Sequence, residues 1–222
     1  MTHHDGVLVA MERKPAMRGT LHAAMATLAP AGLVLLLLIA DTPSAYVGAS
    51  IFAASLCALY TASASYHLGP WRGGVHGVMK RIDHAMIFVL IAGTYTPFCL
   101  VVLGYGAWGI TMLALVWSLA FAGIALKVAW PSAPRWLSVT LYLSLGWLAL
   151  VASPELAFRL SPAELTLLVL GGALYSVGGL VYATRRPDPV PSVFGFHEVF
   201  HALVIAGSLA HFVLIAAFIL PA

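Results

Sequence analysis

The chain alternates long apolar runs with short polar interruptions. Crossing ~30 Å of hydrocarbon takes ~20 apolar residues in a helix. Seven stretches approach that length: 21–40, 45–66, 82–103, 107–130, 136–153, 163–184 and 196–220. The interruptions hold residues that end helices: Asp41-Thr42-Pro43, Gly69-Pro70, Gly104-Tyr105-Gly106, Pro131 with Pro134, Pro154, and Pro187, Pro189 and Pro191. Ser161-Pro162-Ala163-Glu164 has the form of a capping box with proline at the first helical position, opening the sixth run. The pattern predicts an all-α integral membrane protein: a bundle of seven transmembrane helices, one domain over residues 1–222, with a short cytoplasmic segment at 1–20. No long linker, low-complexity stretch or internal repeat divides it.

Composition agrees with that pattern. The chain is 61% apolar and 9% charged, against about 25% charged residues in soluble domains, and its mean hydropathy is +0.96. Residues 1–20 contain Asp5, Glu12, Arg13, Lys14 and Arg18 and no apolar run, so the first span is expected to act as the insertion signal in place of a cleaved one. Cys57 and Cys99 lie within apolar runs, which argues against a disulfide framework. A net charge of +3 does not suggest a nucleic-acid partner. The basic residues instead orient the chain. Arg13, Lys14, Arg18, Arg72, Lys80, Arg81, Lys127, Arg135, Arg185 and Arg186 fall on one side of the seven spans, and Arg159 alone on the other. The positive-inside rule then predicts a cytoplasmic N-terminus and an external C-terminus. Trp71, Trp130 and Trp136 near the span ends suit interfacial anchoring.

The same topology brings polar residues together. Ser63 and His67, four apart, sit in the last turns of the second span. Asp83, with His84 beside it, is expected in the first turn of the third, and His197 and His201, again four apart, open the seventh. Residues four apart share a helix face, and all five reach the same depth on the cytoplasmic side. Such groups are costly in a bilayer without partners. Three neutral imidazoles with one open position make a catalytic-type zinc site, and His67, His197 and His201 would supply them. Asp83 would hold a ligand histidine or take a proton from a zinc-bound water, whose pKa zinc lowers to about 7, and Ser63 would orient either group. His22 opens the first span on the same side as a peripheral partner; His211 lies too far along its helix for the same metal and is expected to hydrogen-bond within the bundle; His3, His4 and His76 read as loop residues. The stretch from His197 to His201 also spells H-E-x-x-H, the metalloprotease signature. Glu198 lies one residue off the ligand face, however, and is expected at the interface, and Asp188 falls in a loop rather than a span.

Several separated motifs occur in order: Ser63-Ala64-Ser65-Tyr66-His67, Lys80-Arg81-Ile82-Asp83-His84, Ala92-Gly93-Thr94-Tyr95-Thr96-Pro97-Phe98, Phe196-His197-Glu198-Val199-Phe200-His201, Ala206-Gly207-Ser208 and His211-Phe212. Through them the chain resembles the hemolysin III family, bacterial relatives of the adiponectin and progestin receptors in a superfamily that includes alkaline ceramidases. The resemblance implies a multi-pass protein of the bacterial inner membrane with an inward N-terminus. It also implies an intramembrane zinc held by His67, His197 and His201, with Ser63 and Asp83 behind them. Receptor and ceramidase relatives imply zinc-dependent hydrolysis of a lipid amide, with membrane lipids as substrate or ligand; the hemolysin name implies lysis.

Four functions follow from these residues and that resemblance. The leading one is zinc-dependent hydrolysis of a lipid amide or ester, with Asp83 and Ser63 as catalytic residues. The others are a receptor-like or lipid-homeostasis protein clamped by zinc, a pore-forming cytolysin, and a metalloprotease using Glu198 as base. The cytolysin fits poorly because no charged ring lines a path across the membrane, and the protease because no later span offers an acidic third ligand.

Overall fold

The computed structural model describes residues 15–104 and 106–220. Its helices are α1 (Thr20–Ile39), α2 (Pro43–Leu68), α3 (Gly73–Pro97), α4 (Ala107–Ala129), α5 (Arg135–Gly146), α6 (Ser153–Arg159), α7 (Pro162–Thr184) and α8 (Phe196–Leu214). A π-helical stretch extends α3 over Phe98–Val102 and another extends α8 over Ile215–Ile219, while a 3-10 stretch, Trp147–Ala152, joins α5 to α6. Seven helical segments are thus long and apolar enough to cross a membrane.

Local chemistry sets the boundaries. Thr42 accepts the Ala45 N–H with Pro43 at the start of α2, and Ser161 and Glu164 close the expected capping box on α7. Two boundaries differ from expectation. The third span begins at Gly73 rather than near residue 82. Its first turns carry Gly73, Gly74, Gly77, Lys80 and Arg81, which depress hydropathy without breaking the helix. Asp83 therefore lies in the third turn, not the first, and His76 is a helix residue rather than a loop residue. The fifth span does not end at residue 153 but runs to Arg159. Pro154 occupies the first turn of α6, where its missing N–H costs nothing.

Consecutive helices α1 to α4 pack in sequence, α8 packs against α7 and α1, and α5 packs against α7 and α3. Phe52, Tyr60, Phe88, Met112, Val116 and Leu214 are buried between them, while Leu38, Phe121 and Phe158 face outward, as a lipid-facing surface allows. Several crossings depend on glycine. The α2–α3 crossing brings Gly48 against the Pro97 backbone, where an added Cβ would lie 2.9 Å from Pro97 Cα. The glycines of α7 serve packing within this chain: Gly171 faces the His211 ring, Gly178 faces Phe200 and Leu203, and Gly179 faces Val139 and Leu143.

Arg13, Lys14, His3 and His4 lie outside the described residues. Among the described cations, Lys127, in the last turn of α4, is enclosed by the bundle. It is 7% exposed, and its Nζ donates to Ser138 Oγ at 2.6 Å. Cys57 and Cys99 are free thiols.

Gly48→Leu is expected to destabilise the bundle by about 1–3 kcal/mol, the usual cost of overpacking, because Pro97 backbone cannot rotate away as a side chain would. Thermal unfolding in detergent measures this; an unchanged midpoint would contradict the α2–α3 crossing.

Candidate metal centre

The last turn of α2 brings His67 to the first turns of α8, where His197 and His201 lie on one face. The His67 and His197 Nε2 atoms are 3.1 Å apart. The three rings meet with centroids 4.5 to 5.1 Å apart, and one nitrogen from each falls within 4.8 Å of the others. Tetrahedral zinc with bonds of 2.0–2.1 Å would set its ligand nitrogens about 3.3 Å apart. The donor set therefore fits such an ion: three imidazoles, closely spaced, with no carboxylate inside the group. The His201 Nδ1 atom is buried without a hydrogen-bond partner among the described residues, and the rings of His22 and His197 pack against this imidazole.

Much of this packing comes from the chain's beginning. His22 of α1, expected as a peripheral partner, stacks on His201 with centroids 3.7 Å apart and planes 12° from parallel. It also meets Tyr60 edge-on. Both His22 ring nitrogens are buried without a partner of good geometry. Gly19, at φ +84°, starts α1 so close to α2 that an added Cβ would sit 2.6 Å from His67 Cβ. Ahead of it, the Ala16 and Met17 N–H groups donate to the Ser192 and Val193 carbonyls at 3.0 and 3.1 Å. The segment before α1 is thus strapped to the loop before α8.

Glu198 completes the strap, and here the expectation of an interfacial residue is wrong. Its side chain is 1% exposed; Oε1 takes the Arg18 Nε–H at 2.6 Å, and Oε2 takes the Gly195 N–H at 2.9 Å. Being one position off the ligand face turns it toward α1 instead of toward solvent. Asp188, in the loop as expected, accepts the Phe196 N–H at 2.7 Å. Both acids cap the start of α8, where four backbone N–H groups lack helical partners.

Ser63 and Asp83 meet as expected, within hydrogen-bonding reach of each other. Asp83 is also 3.7 Å from His84 Nδ1. It stays outside the cluster of three converging histidine nitrogens. The His84 Nδ1–H donates to the Lys80 carbonyl at 2.7 Å, and its Nε2 lies 3.3 Å from the Tyr182 hydroxyl. Ser63, Asp83, His197 and His201 line one end of a cavity of about 330 Å³, whose remaining walls are largely apolar. Trp147, Leu150 and Val169 also line it, and these are 37%, 61% and 55% exposed. The cavity therefore reaches the outer surface between the 3-10 stretch and α7. A histidine cluster beside an acid, at the end of a largely apolar cavity, can hold a metal ion.

A model of a family described as Haemolysin-III related matches residues 11–212. The chain belongs to that family. This haemolysin-III-related chain is 40% identical over 185 residues to the hemolysin-3 homolog of Bacillus subtilis (strain 168), covering 82% of this chain and 83% of that protein. It is 34% identical to hemolysin-3 of Bacillus cereus, covering 90% of this chain and 89% of the other. The Drosophila melanogaster adiponectin receptor protein is 28% identical over 61% of this chain and 34% of its own length. The chain is thus a multi-pass membrane protein of the hemolysin III and adiponectin-receptor-like kind.

Sequence reasoning anticipated the histidine trio, Ser63 and Asp83, but not the parts played by Arg18, His84 and Tyr182. Arg18 lies in the turn before α1, where no helical spacing relates it to His22. Nothing in the sequence marked Tyr182. His211 behaves as expected, its Nε2 lying 3.2 Å from the Leu168 carbonyl oxygen.

Two outcomes follow. Arg18→Ala leaves the Glu198 carboxylate buried without its cation and is expected to cost about 3 kcal/mol. Glu198→Gln is expected to cost less, about 1 kcal/mol, since an amide oxygen still accepts from Gly195 and Arg18, 20% exposed, can turn to water. Unfolding midpoints of the two variants should differ in that order; the reverse order would contradict the strap. Elemental analysis should find about one zinc per wild-type chain and almost none in His67→Ala.

Proposed function

We propose that this protein is a zinc-dependent hydrolase of lipid amides or esters, working inside the bacterial inner membrane with its histidine site toward the cytoplasm. The observation that carries the reading is the junction of the histidine trio with the Asp83–Ser63 pair at one end of a laterally open apolar cavity. When bound by His67, His197 and His201, zinc supplies an acidified water and polarises a carbonyl oxygen. The apolar walls would take the acyl chain of a membrane lipid and keep bulk water from the reacting carbonyl. Asp83 would accept a proton at its carboxylate as water adds to the carbonyl carbon. It would return that proton to the leaving nitrogen or oxygen as the bond to carbon breaks. The Ser63 hydroxyl would orient the carboxylate throughout. Ten cations against one favour a cytoplasmic N-terminus, which puts the site near the inner face.

The metalloprotease reading is disfavoured by the Arg18 and Gly195 contacts that already occupy both Glu198 oxygens. A second reading keeps the zinc and drops the reaction. The ion would clamp α2 to α8, and the stacking of His22 on His201 supports it because α1 would share in that clamp. The cytolysis named by the Bacillus cereus relative finds little support, since no ring of charge crosses the bundle among the described residues.

Purified protein incubated with ceramides, other lipid amides and lipid esters should release fatty acid in a zinc-dependent reaction, read by mass spectrometry. Asp83→Ala should slow it by about 10²–10⁴-fold while retaining metal. Zinc-independent release, or full activity in Asp83→Ala, would overturn the hydrolase. Loss of the unfolding midpoint on chelation without any lipid turnover would instead favour the clamp.

A further inference from the structure

Next to the histidine site, but outside it, lies a cleft of about 620 Å³ between α3, the ends of α4 and α7, and the start of α5. Five cations line it: Lys80, Arg81, Lys127, Arg135 and Arg185. No carboxylate lines it, and none of the five forms a salt bridge among the described residues. The positive-inside rule explains cations at this end of the bundle, and helix C-termini favour Lys127 and Arg185. Neither explains their convergence on a concave surface, nor the burial of one of them.

Among the described residues, Lys127 has only the neutral Ser138 hydroxyl as its side-chain hydrogen-bond partner. The Arg81 Nε–H is buried with no hydrogen-bond partner among the described residues. Arg135 is fixed by its own contacts, one Nη1–H donating to the Tyr182 carbonyl at 3.3 Å and its guanidinium lying 4.9 Å above the Tyr182 ring. A buried ammonium facing other cations is costly unless a negative charge joins it. The cleft is flanked by Trp130 and Trp136, 45% and 64% exposed, the residue type that settles at headgroup depth.

We propose that this cleft binds the phosphate group of an anionic membrane lipid. Lys127 and Arg81 meet the phosphate oxygens from the floor, and Arg135, Lys80 and Arg185 from the rim. A lipid is the fitting source because the cleft sits where headgroups lie. Basic pockets between spanning helices at that depth recognise anionic headgroups. His84 and Tyr182 line both this cleft and the apolar cavity, so an occupied cleft shares two wall residues with that cavity without entering the histidine site. The assignment does not depend on hydrolysis.

Binding of short-chain phosphatidylglycerol, phosphatidylcholine and inorganic phosphate to the full chain in neutral detergent, read by native mass spectrometry, tests it. Phosphatidylglycerol should bind, and rising salt should weaken it. Lys127→Gln should lower affinity about fivefold, and the exposed pair Lys80→Gln with Arg185→Gln, which leaves the buried floor intact, by about 25-fold together. Arg186→Gln, an exposed neighbouring cation outside the cleft, should change nothing. Equal binding of phosphatidylcholine, or equal losses in Arg186→Gln and the cleft variants, would overturn the site. Inorganic phosphate binding as tightly as the lipid would overturn the lipid as its source.

Discussion

Hydrocarbon offers no water, so a polar group placed at membrane depth is costly unless it finds a partner inside the protein. The arrangement of this bundle follows from that constraint. At one end Arg18 meets Glu198, Ser63 meets Asp83, and three imidazoles meet each other. Midway, Tyr175 and Ser208 share a hydrogen bond at 2.9 Å, and the Tyr95 hydroxyl donates to the Leu145 and Gly146 carbonyls where the fifth span loosens into 3-10 geometry. Farther along, His211 reaches the Leu168 carbonyl because Gly171 leaves room for its ring. Polar contacts choose which helices become neighbours, and apolar side chains fill the space between them.

The H-E-x-x-H spelling shows how a motif depends on what surrounds its helix. On α8 the two histidines share a face, and the glutamate between them is rotated about 100° away per residue step. In a zinc protease that rotation leaves the acid in the same open site. Here α1 and its strap occupy the space, so the acid is taken up by Arg18 and by the helix's own start. Identical letters serve different ends because a neighbouring segment, whose Arg18 lies 180 residues away in sequence, decides what the acid faces.

The sequence made the spans and the histidine trio legible because both obey simple rules. Hydropathy marks spans, and four-residue spacing puts His197 and His201 on one face. What it concealed has equally physical causes. The glycine- and cation-rich start of α3 is helical yet not apolar, so a hydropathy reading begins the third span late. The proline at residue 154 looks like a stop, although the first turn of a helix tolerates it. The burial of Glu198 and Lys127 could not be seen, because charge suggests water and only packing shows where a charged group is enclosed. Tyr182 joins two sites through its hydroxyl and its ring, and that role arises from the crossing of α7 over α3 and α5.

His67 and His197 are separated by 130 positions along the chain, yet their nitrogens nearly touch. A ribosome makes and inserts these helices in order, so the second span waits in the membrane with one ligand until the seventh arrives. The segment ahead of the first span waits as well, since Arg18 has no carboxylate to meet before Glu198 emerges. Closure of the strap and the meeting of the three imidazoles therefore wait for α8. A chain cut short between α3 and α8 carries Ser63, His67 and Asp83 without His197 and His201, so the convergence of the imidazoles reports completed insertion of α8.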